Sequence, residues 1–235
     1  MNNIQKNIKR IISQIESAQK KYGRARNSVQ LLAVSKTKPI EAILDAVQGG
    51  QKFFGENYVQ ESINKIQFFR KNYANLSLKW HFIGPIQSNK TRHVSENFDW
   101  VHTINRAKIA QRLNDQRPVG MEPIQVLIQV NTCSEKNKFG VFENEIFALV
   151  DLITSLPNLT LRGLMSIPAN TSDHQSQFIA FSKLTKLKNK LTKKYPQLEL
   201  DTLSMGMSGD MDAAIRAGST MLRIGTSIFG TRNDK

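Results

Sequence analysis

The stretch LLAVSKTKP, Leu31 to Pro39, is an apolar run that ends in two lysines, Lys36 and Lys38. A lysine at the mouth of a folded domain loses solvation, which favours its neutral amine, and a neutral amine condenses with a carbonyl to give a Schiff base. Lysines at a strand end also simply extend their ammonium groups into water. This stretch alone leaves both readings open. If the strand runs on through Ser35, Lys36, Thr37 and Lys38, the alternation of side chains puts the two lysines on one side. A second chemistry is written toward the C-terminus. SMGMSGDMDAAIRAG sets Ser204, Gly206, Ser208 and Gly209 ahead of a helical DAAIRAG, and RIGTSIFG carries Gly225 and Thr226. Small residues before a helix leave N–H groups open to an anion such as phosphate, although ordinary turns use glycine as well.

The elements that must position these groups follow from hydrophobic periodicity. Short β-rich runs begin at Leu31, Lys52, Lys79, Asp99, Ile124, Leu161, Leu200 and Met221, the last read as a strand through RIGTSIFG. Segments of helical periodicity lie between them, among them Ile40 to Val47, Tyr58 to Phe69, Ala107 to Leu113, Ile146 to Ile153 and a basic segment from His174. A leading helix carries Ile4, Ile8, Ile11, Ile12 and Ile15. Pro39 opens a helix, Pro123 precedes a strand and Pro168 follows one, positions where a missing N–H costs little. No linker or composition shift divides the chain, so residues 1–235 are expected to form a single domain. Strands alternating with helices in this number predict an α/β fold, a parallel (β/α)8 barrel of the TIM type with an extra N-terminal helix. The alternative is a doubly wound open sheet, which usually stops nearer to about six strands.

In such barrels chemistry gathers at the C-terminal ends of the strands, and phosphate sites are frequently built by the loops after strands seven and eight. The glycine-, serine- and threonine-rich turns fall in those two loops. A reactive lysine across the mouth from a phosphate cradle fits a ligand with an aldehyde at one end and a phosphate at the other. Pyridoxal 5'-phosphate (PLP) has that form, and so do the substrates of sugar-phosphate aldolases and related lyases.

AVSKTKP, FGENYVQE (Phe54 to Glu61), WHFIGPIQSNK (Trp80 to Lys90) and SMGMSGDMDAAIRAGSTMLRIGTSIFGTR carry a closer resemblance. From the leading helix to Arg232 the chain resembles the pyridoxal phosphate homeostasis proteins, a family that in turn resembles the barrel domain of alanine racemase. It departs from the usual pattern at Gly209, where an acidic or small polar residue is more common, and at Phe139, which follows Lys138. The resemblance implies that Lys36 is the residue of covalent PLP attachment and that Ser208, Gly225 and Thr226 bind the phosphate. It implies that Arg223 faces the pyridine nitrogen and that Asn57 lies beside the ring. His81 and Met207 fall in family motifs near the mouth, and Lys38 and Lys138 match further lysines that assist cofactor entry or exit. Each has an ordinary counterpart. Arg223 would otherwise pair with a carboxylate in the barrel, Asn57 would cap the next helix, and His81, like His102, would be a hydrogen-bonded core histidine. Met165, Met205 and Met207 would fill gaps.

Racemisation needs a base on each face of the substrate carbanion. In the racemases that the barrel resembles, a tyrosine on an additional C-terminal domain supplies the second base. This sequence ends at Lys235, just past the eighth strand, and none of Tyr22, Tyr58, Tyr73 and Tyr195 falls at a strand end. An arginine against the ring nitrogen also disfavours protonating that nitrogen, which makes the ring a poorer electron sink. The expectation is a non-catalytic, metal-free protein of PLP homeostasis that buffers the cofactor as a lysine Schiff base and supplies it to apoenzymes. The alternative is a weak PLP-dependent amino-acid racemase or lyase.

Composition sets the remaining bounds. Lys and Arg number 33 against 19 Asp and Glu, a formal charge of +14 that attracts anions without specifying one. Between His174 and Leu198 no acid occurs, while Lys183, Lys186, Lys188, Lys190, Lys193 and Lys194 alternate with an apolar stripe of Phe178, Phe181, Leu184, Leu187 and Leu191. A solvated helix face accounts for this. Nucleic-acid binding is the minor alternative, because the aromatics lie on the apolar stripe and not among the lysines. No apolar run is long enough to span a bilayer as a helix, and Cys133 alone allows no internal disulfide. A cytoplasmic protein, monomeric or weakly dimeric, is therefore expected.

Overall fold

Each of the apolar runs becomes a strand of one sheet, because aliphatic and β-branched side chains fill a surface that is buried on both faces. The computed structural model describes residues 2–132, 139–169 and 171–231. In chain order the strands are β1 (Gln30–Val34), β2 (Phe53–Glu56), β3 (Lys79–Phe82), β4 (Trp100–Ile104), β5 (Ile124–Gln129), β6 (Leu159–Met165), β7 (Thr202–Ser204) and β8 (Met221–Ile224). Neighbours in sequence pair in parallel, and β8 closes on β1 with Leu32 opposite Arg223 and Ala33 opposite Ile224. The result is a closed (β/α)8 barrel.

Outside it run α1 (Asn3–Lys21), α2 (Ile40–Gln48), α3 (Val59–Asn72), α4 (Thr91–Asn97), α5 (Ala107–Asp115), α6 (Ile146–Thr154), α7 (His174–Lys194), α8 (Met211–Arg216) and α9 (Thr226–Phe229). Phe54, Phe82, Val101, Ile128 and Leu203 turn outward from the strands into the layer that these helices cover. In α1, Ile8, Ile11 and Ile15 are buried while Ile12 stays 41% exposed. Asn7 Nδ2 donates to the Ile228 carbonyl at 3.0 Å and Arg10 Nη2 to that of Ser227 at 3.4 Å, so the leading helix is fastened to α9. The basic segment is α7, with Phe181, Leu184, Leu187 and Leu191 buried. Several of its lysines are engaged locally: Lys190 pairs with Glu143 at 2.6 Å, and Lys194 lies 4.5 Å from the centroid of the Phe147 ring. Among the described residues no helix is long and apolar enough to cross a membrane.

Four features differ from the expectation. β1 stops at Val34, and Lys36 and Thr37 form a turn, with Thr37 at φ +62°. The strand-like alternation that would have put Lys36 and Lys38 on one side therefore does not extend to them. β8 stops at Ile224, and Thr226–Phe229 is helical where a strand was expected, because α1 takes the Ser227 and Ile228 carbonyls and Gly230 ends the turn at φ +80°. α4 had no clear apolar period to announce it. Finally, β6 carries a bulge: Val126 pairs with Leu161 but Leu127 pairs with Gly163, which sits at φ +145°.

Candidate functional site

Because β7, β8, β1 and β2 are consecutive neighbours around the barrel, the residues just beyond their ends share one arc of the rim. Ser208 follows β7, Gly225 and Thr226 follow β8, Lys36 follows β1 and Asn57 follows β2. Lys36 is half-buried in its turn, whereas Ser208 and Thr226 are exposed and Met207 is 40% exposed. Gly225 approaches β1 so closely that a Cβ there would lie 3.3 Å from the Val34 carbonyl oxygen. α9 starts at the next residue; the Ile228 and Phe229 amides both donate to the Gly225 carbonyl at 2.9 Å, which leaves the amides of Thr226 and Ser227 at its leading end. Lys38 turns elsewhere. Its ammonium donates to the carbonyls of Gly230 at 3.2 Å and Thr231 at 2.8 Å.

Arg223 lies inside the barrel and is 5% exposed. Its Nη1 donates to the Ser204 carbonyl at 2.7 Å and to Ser204 Oγ at 2.8 Å, and its Nη2 to the Ser166 carbonyl at 2.9 Å. These partners are neutral oxygens, not the carboxylate that an ordinary barrel arginine would take. Burial lowers the guanidinium to about 10, against the opposing charge of Asp210, so it stays cationic at neutral pH. Burial likewise raises Asp210, opposed by its bond from the Met207 N–H and by Arg223.

The same polar seam continues across the lumen. His102 Nδ1 and Ser204 Oγ are 3.0 Å apart, and His102 Nε2 meets His81 Nδ1 at 2.9 Å. His81 is completely buried, stacks on Trp100 with ring centroids 5.1 Å apart, and belongs to the barrel interior more than to the rim. Burial, then the charge of Lys79, lowers His81 to about 3. Burial, then His81 and Arg223, lowers His102 well below the usual range. Both rings are neutral in the folded protein at physiological pH.

His81 contributes to the acid stability of the fold. The unfolded chain takes up its proton near pH 6.5 and the native chain only near pH 3. The contribution of His81 is therefore complete above about pH 6.5 and falls by about 1.4 kcal/mol per pH unit as the pH drops through that window, about 2 kcal/mol between pH 6.5 and 5. Urea unfolding at pH 7.5 and pH 5 measures this. Equal stabilities, or an unchanged slope in His81→Gln, would contradict it.

Among the described residues, the buried polar atoms without a partner include Asn57 Oδ1, just past β2, and Ser166 Oγ, at the end of β6. Asn57 does not cap α3, whose N-cap is Tyr58 and lacks a side-chain bond. Its backbone is packed against Gly84, where a Cβ would come within 2.5 Å of the Asn57 carbonyl oxygen. Ser166 and Gly84 were not singled out from the sequence. SIP after the sixth strand and FIG after the third were the visible signals, a polar or glycine residue at a strand end. Met165 and Met205 are buried in the core, as gap-filling predicts. Cys133 and Lys138 lie outside the described residues. Among the described residues no group of three or more His, Cys, Asp or Glu is placed to hold a metal.

An amine, an interior guanidinium, two orphaned polar atoms and a glycine-opened helix start make a donor set suited to an aldehyde-bearing heteroaromatic phosphate. Comparison with known proteins points the same way. Residues 3–233 match the family model described as alanine racemase, N-terminal domain. The chain is 64% identical over 233 residues to a Vibrio cholerae protein named pyridoxal phosphate homeostasis protein, covering 99% of this chain and 98% of that one. It is 50% identical over 233 residues to the Escherichia coli protein of the same name, again covering 99% and 98%. The solved structure of PipY from Synechococcus elongatus PCC7942 with PLP bound matches with a TM-score of 0.79 at 33% identity, covering 93% of this chain and 100% of that one.

Proposed function

The chain belongs to the pyridoxal phosphate homeostasis proteins, within the alanine racemase N-terminal domain family, and from that premise we propose that it holds PLP covalently on Lys36 and delivers it to apoenzymes. The observation that carries this reading is the pairing of β1 with β8, which sets the Lys36 turn beside the start of α9 with Arg223 beneath. When bound, PLP supplies an aldehyde that condenses with an unprotonated amine, releasing water and forming a C=N bond.

The residues of this chain divide the remaining work. Gly225, Thr226 and Ser208 receive the phosphate, with the leading amides of α9, those of Thr226 and Ser227, facing the anion. Asn57 and Ser166 offer their unpartnered atoms to the ring substituents. Arg223, held by Ser204 and Ser166, presents a fixed positive charge to the ring nitrogen and keeps it unprotonated. A ring held that way withdraws electrons weakly, so the site retains the cofactor better than it activates a substrate. The barrel over residues 1–235 acts as one binding domain, the protein works in the cytoplasm as a monomer or weak dimer, and it protects cellular amines from a reactive aldehyde.

The test is to load the protein with PLP and mix it with a PLP-dependent apoenzyme, then to follow recovered activity alongside exchange of the α-hydrogen of added alanine in deuterated water. Recovered activity without sustained exchange is expected. Sustained exchange catalysed by the loaded protein alone would favour the alternative, a weak amino-acid racemase or lyase.

A further inference from the structure

Behind the Lys36 turn lies a polar cluster that the carrier reading leaves unused. Glu56, the last residue of β2, is completely buried and directs its carboxylate toward α3. Lys65 of α3 has a side chain only 6% exposed and spends its ammonium three times: on Glu56 Oε1 at 2.9 Å, on the Ser35 carbonyl at 2.8 Å and on Glu61 Oε1. Ser35 Oγ in turn donates to Glu56 Oε1 at 2.7 Å, and the Thr37 N–H donates to Glu61 Oε1 at 2.7 Å. The residues on both sides of Lys36 are thus gripped, Ser35 by its carbonyl and hydroxyl and Thr37 by its amide. Thr37 is at φ +62°, which a β-branched residue adopts only under restraint.

Stability alone does not account for such a cluster, since apolar side chains of equal volume commonly replace a buried ion pair at no loss. We infer that Glu56, Lys65 and Glu61 are positioning residues that fix the aim of the Lys36 amine at the ligand carbonyl. This rests on the reading of Lys36 as the attachment residue. In the step concerned, the unprotonated amine adds to the aldehyde carbon, and the carbonyl oxygen leaves as water with the two protons of the nitrogen as the C=N bond forms. No redox partner is involved, and the rate depends on how often the nitrogen lies within reach of the carbon.

Two ligands separate aim from general integrity. PLP reports on covalent capture, and pyridoxine 5'-phosphate, which lacks the aldehyde, reports on the rest of the pocket. In stopped-flow absorbance, Lys65→Met and Glu61→Ala are expected to slow PLP capture by about tenfold to a hundredfold, the cost of a small misplacement of a reacting group. Affinity for pyridoxine phosphate is expected to stay at the wild-type level. Glu61→Gln, which keeps an acceptor oxygen for Thr37, should recover most of the rate. Because Glu61 is 32% exposed, its variants are expected to fold even if Lys65→Met, which strands the Glu56 carboxylate, does not. Unchanged capture in Glu61→Ala would overturn the inference, as would equal weakening of both ligands. Absence of any borohydride-reducible adduct in the wild type would instead overturn the attachment reading itself, with Lys36→Ala as the blank.

Discussion

Lys36→Ala is expected to abolish covalent retention of PLP. After incubation with the cofactor and borohydride, intact-mass measurement should find one reduced adduct on the wild type and none on the variant. The change leaves the turns after β7 and β8, to which we assign the phosphate, untouched, so reversible binding should persist, weakened by about a hundredfold, or about 2.7 kcal/mol. Lys38 is poorly placed to substitute. Its ammonium is spent on the carbonyls of Gly230 and Thr231, and leaving them would uncap the end of α9. A stoichiometric adduct on Lys38 in the variant would refute the assignment.

The second large effect concerns the fold. Gly163→Ala should destabilise the barrel by about 3–5 kcal/mol, from backbone strain at a positive φ plus overpacking. At φ +145° a Cβ would overlap the Thr202 carbonyl oxygen of the neighbouring strand, a backbone atom that has nowhere to go. Gly209→Ala is the natural comparison, since a Cβ there meets nothing within 4 Å and the change should stay within about 0.5 kcal/mol. Urea midpoints of the two variants decide the matter. Similar values would mean that β6 can lose its bulge and re-register against β7.

The contrast between these glycines marks what the sequence could and could not tell. Alternating strands and helices, the proline junctions and the strand-end lysine are local signals, and they were enough to anticipate a closed barrel with Lys36, Gly225 and Thr226 on neighbouring strand ends. Gly163 is one glycine in a run that reads as an ordinary strand. Its role exists only because β7 passes alongside. Likewise RIGTSIFG has the composition of a strand throughout, and it turns helical after Ile224 because Asn7 and Arg10, more than two hundred residues away, claim its carbonyls. Lys65 was the least legible of all. A lysine on an amphipathic helix reads as a solvent group, and only the arrival of Glu56, Glu61 and the Ser35 carbonyl makes it an interior one. Arg223 and the two histidines were legible as barrel residues, but not the continuous chain of contacts through Ser204 that joins them.

The fastening of α1 to α9 couples two helices far apart in sequence. Asn7 and Arg10 hold the backbone of α9, so if an anion at its leading amides favours the docking of α1, that docking favours the anion by an equal amount of free energy. On the proposed reading, a phosphate bound at that rim would quieten α1, and a change that prised α1 loose would shorten the residence of the bound anion.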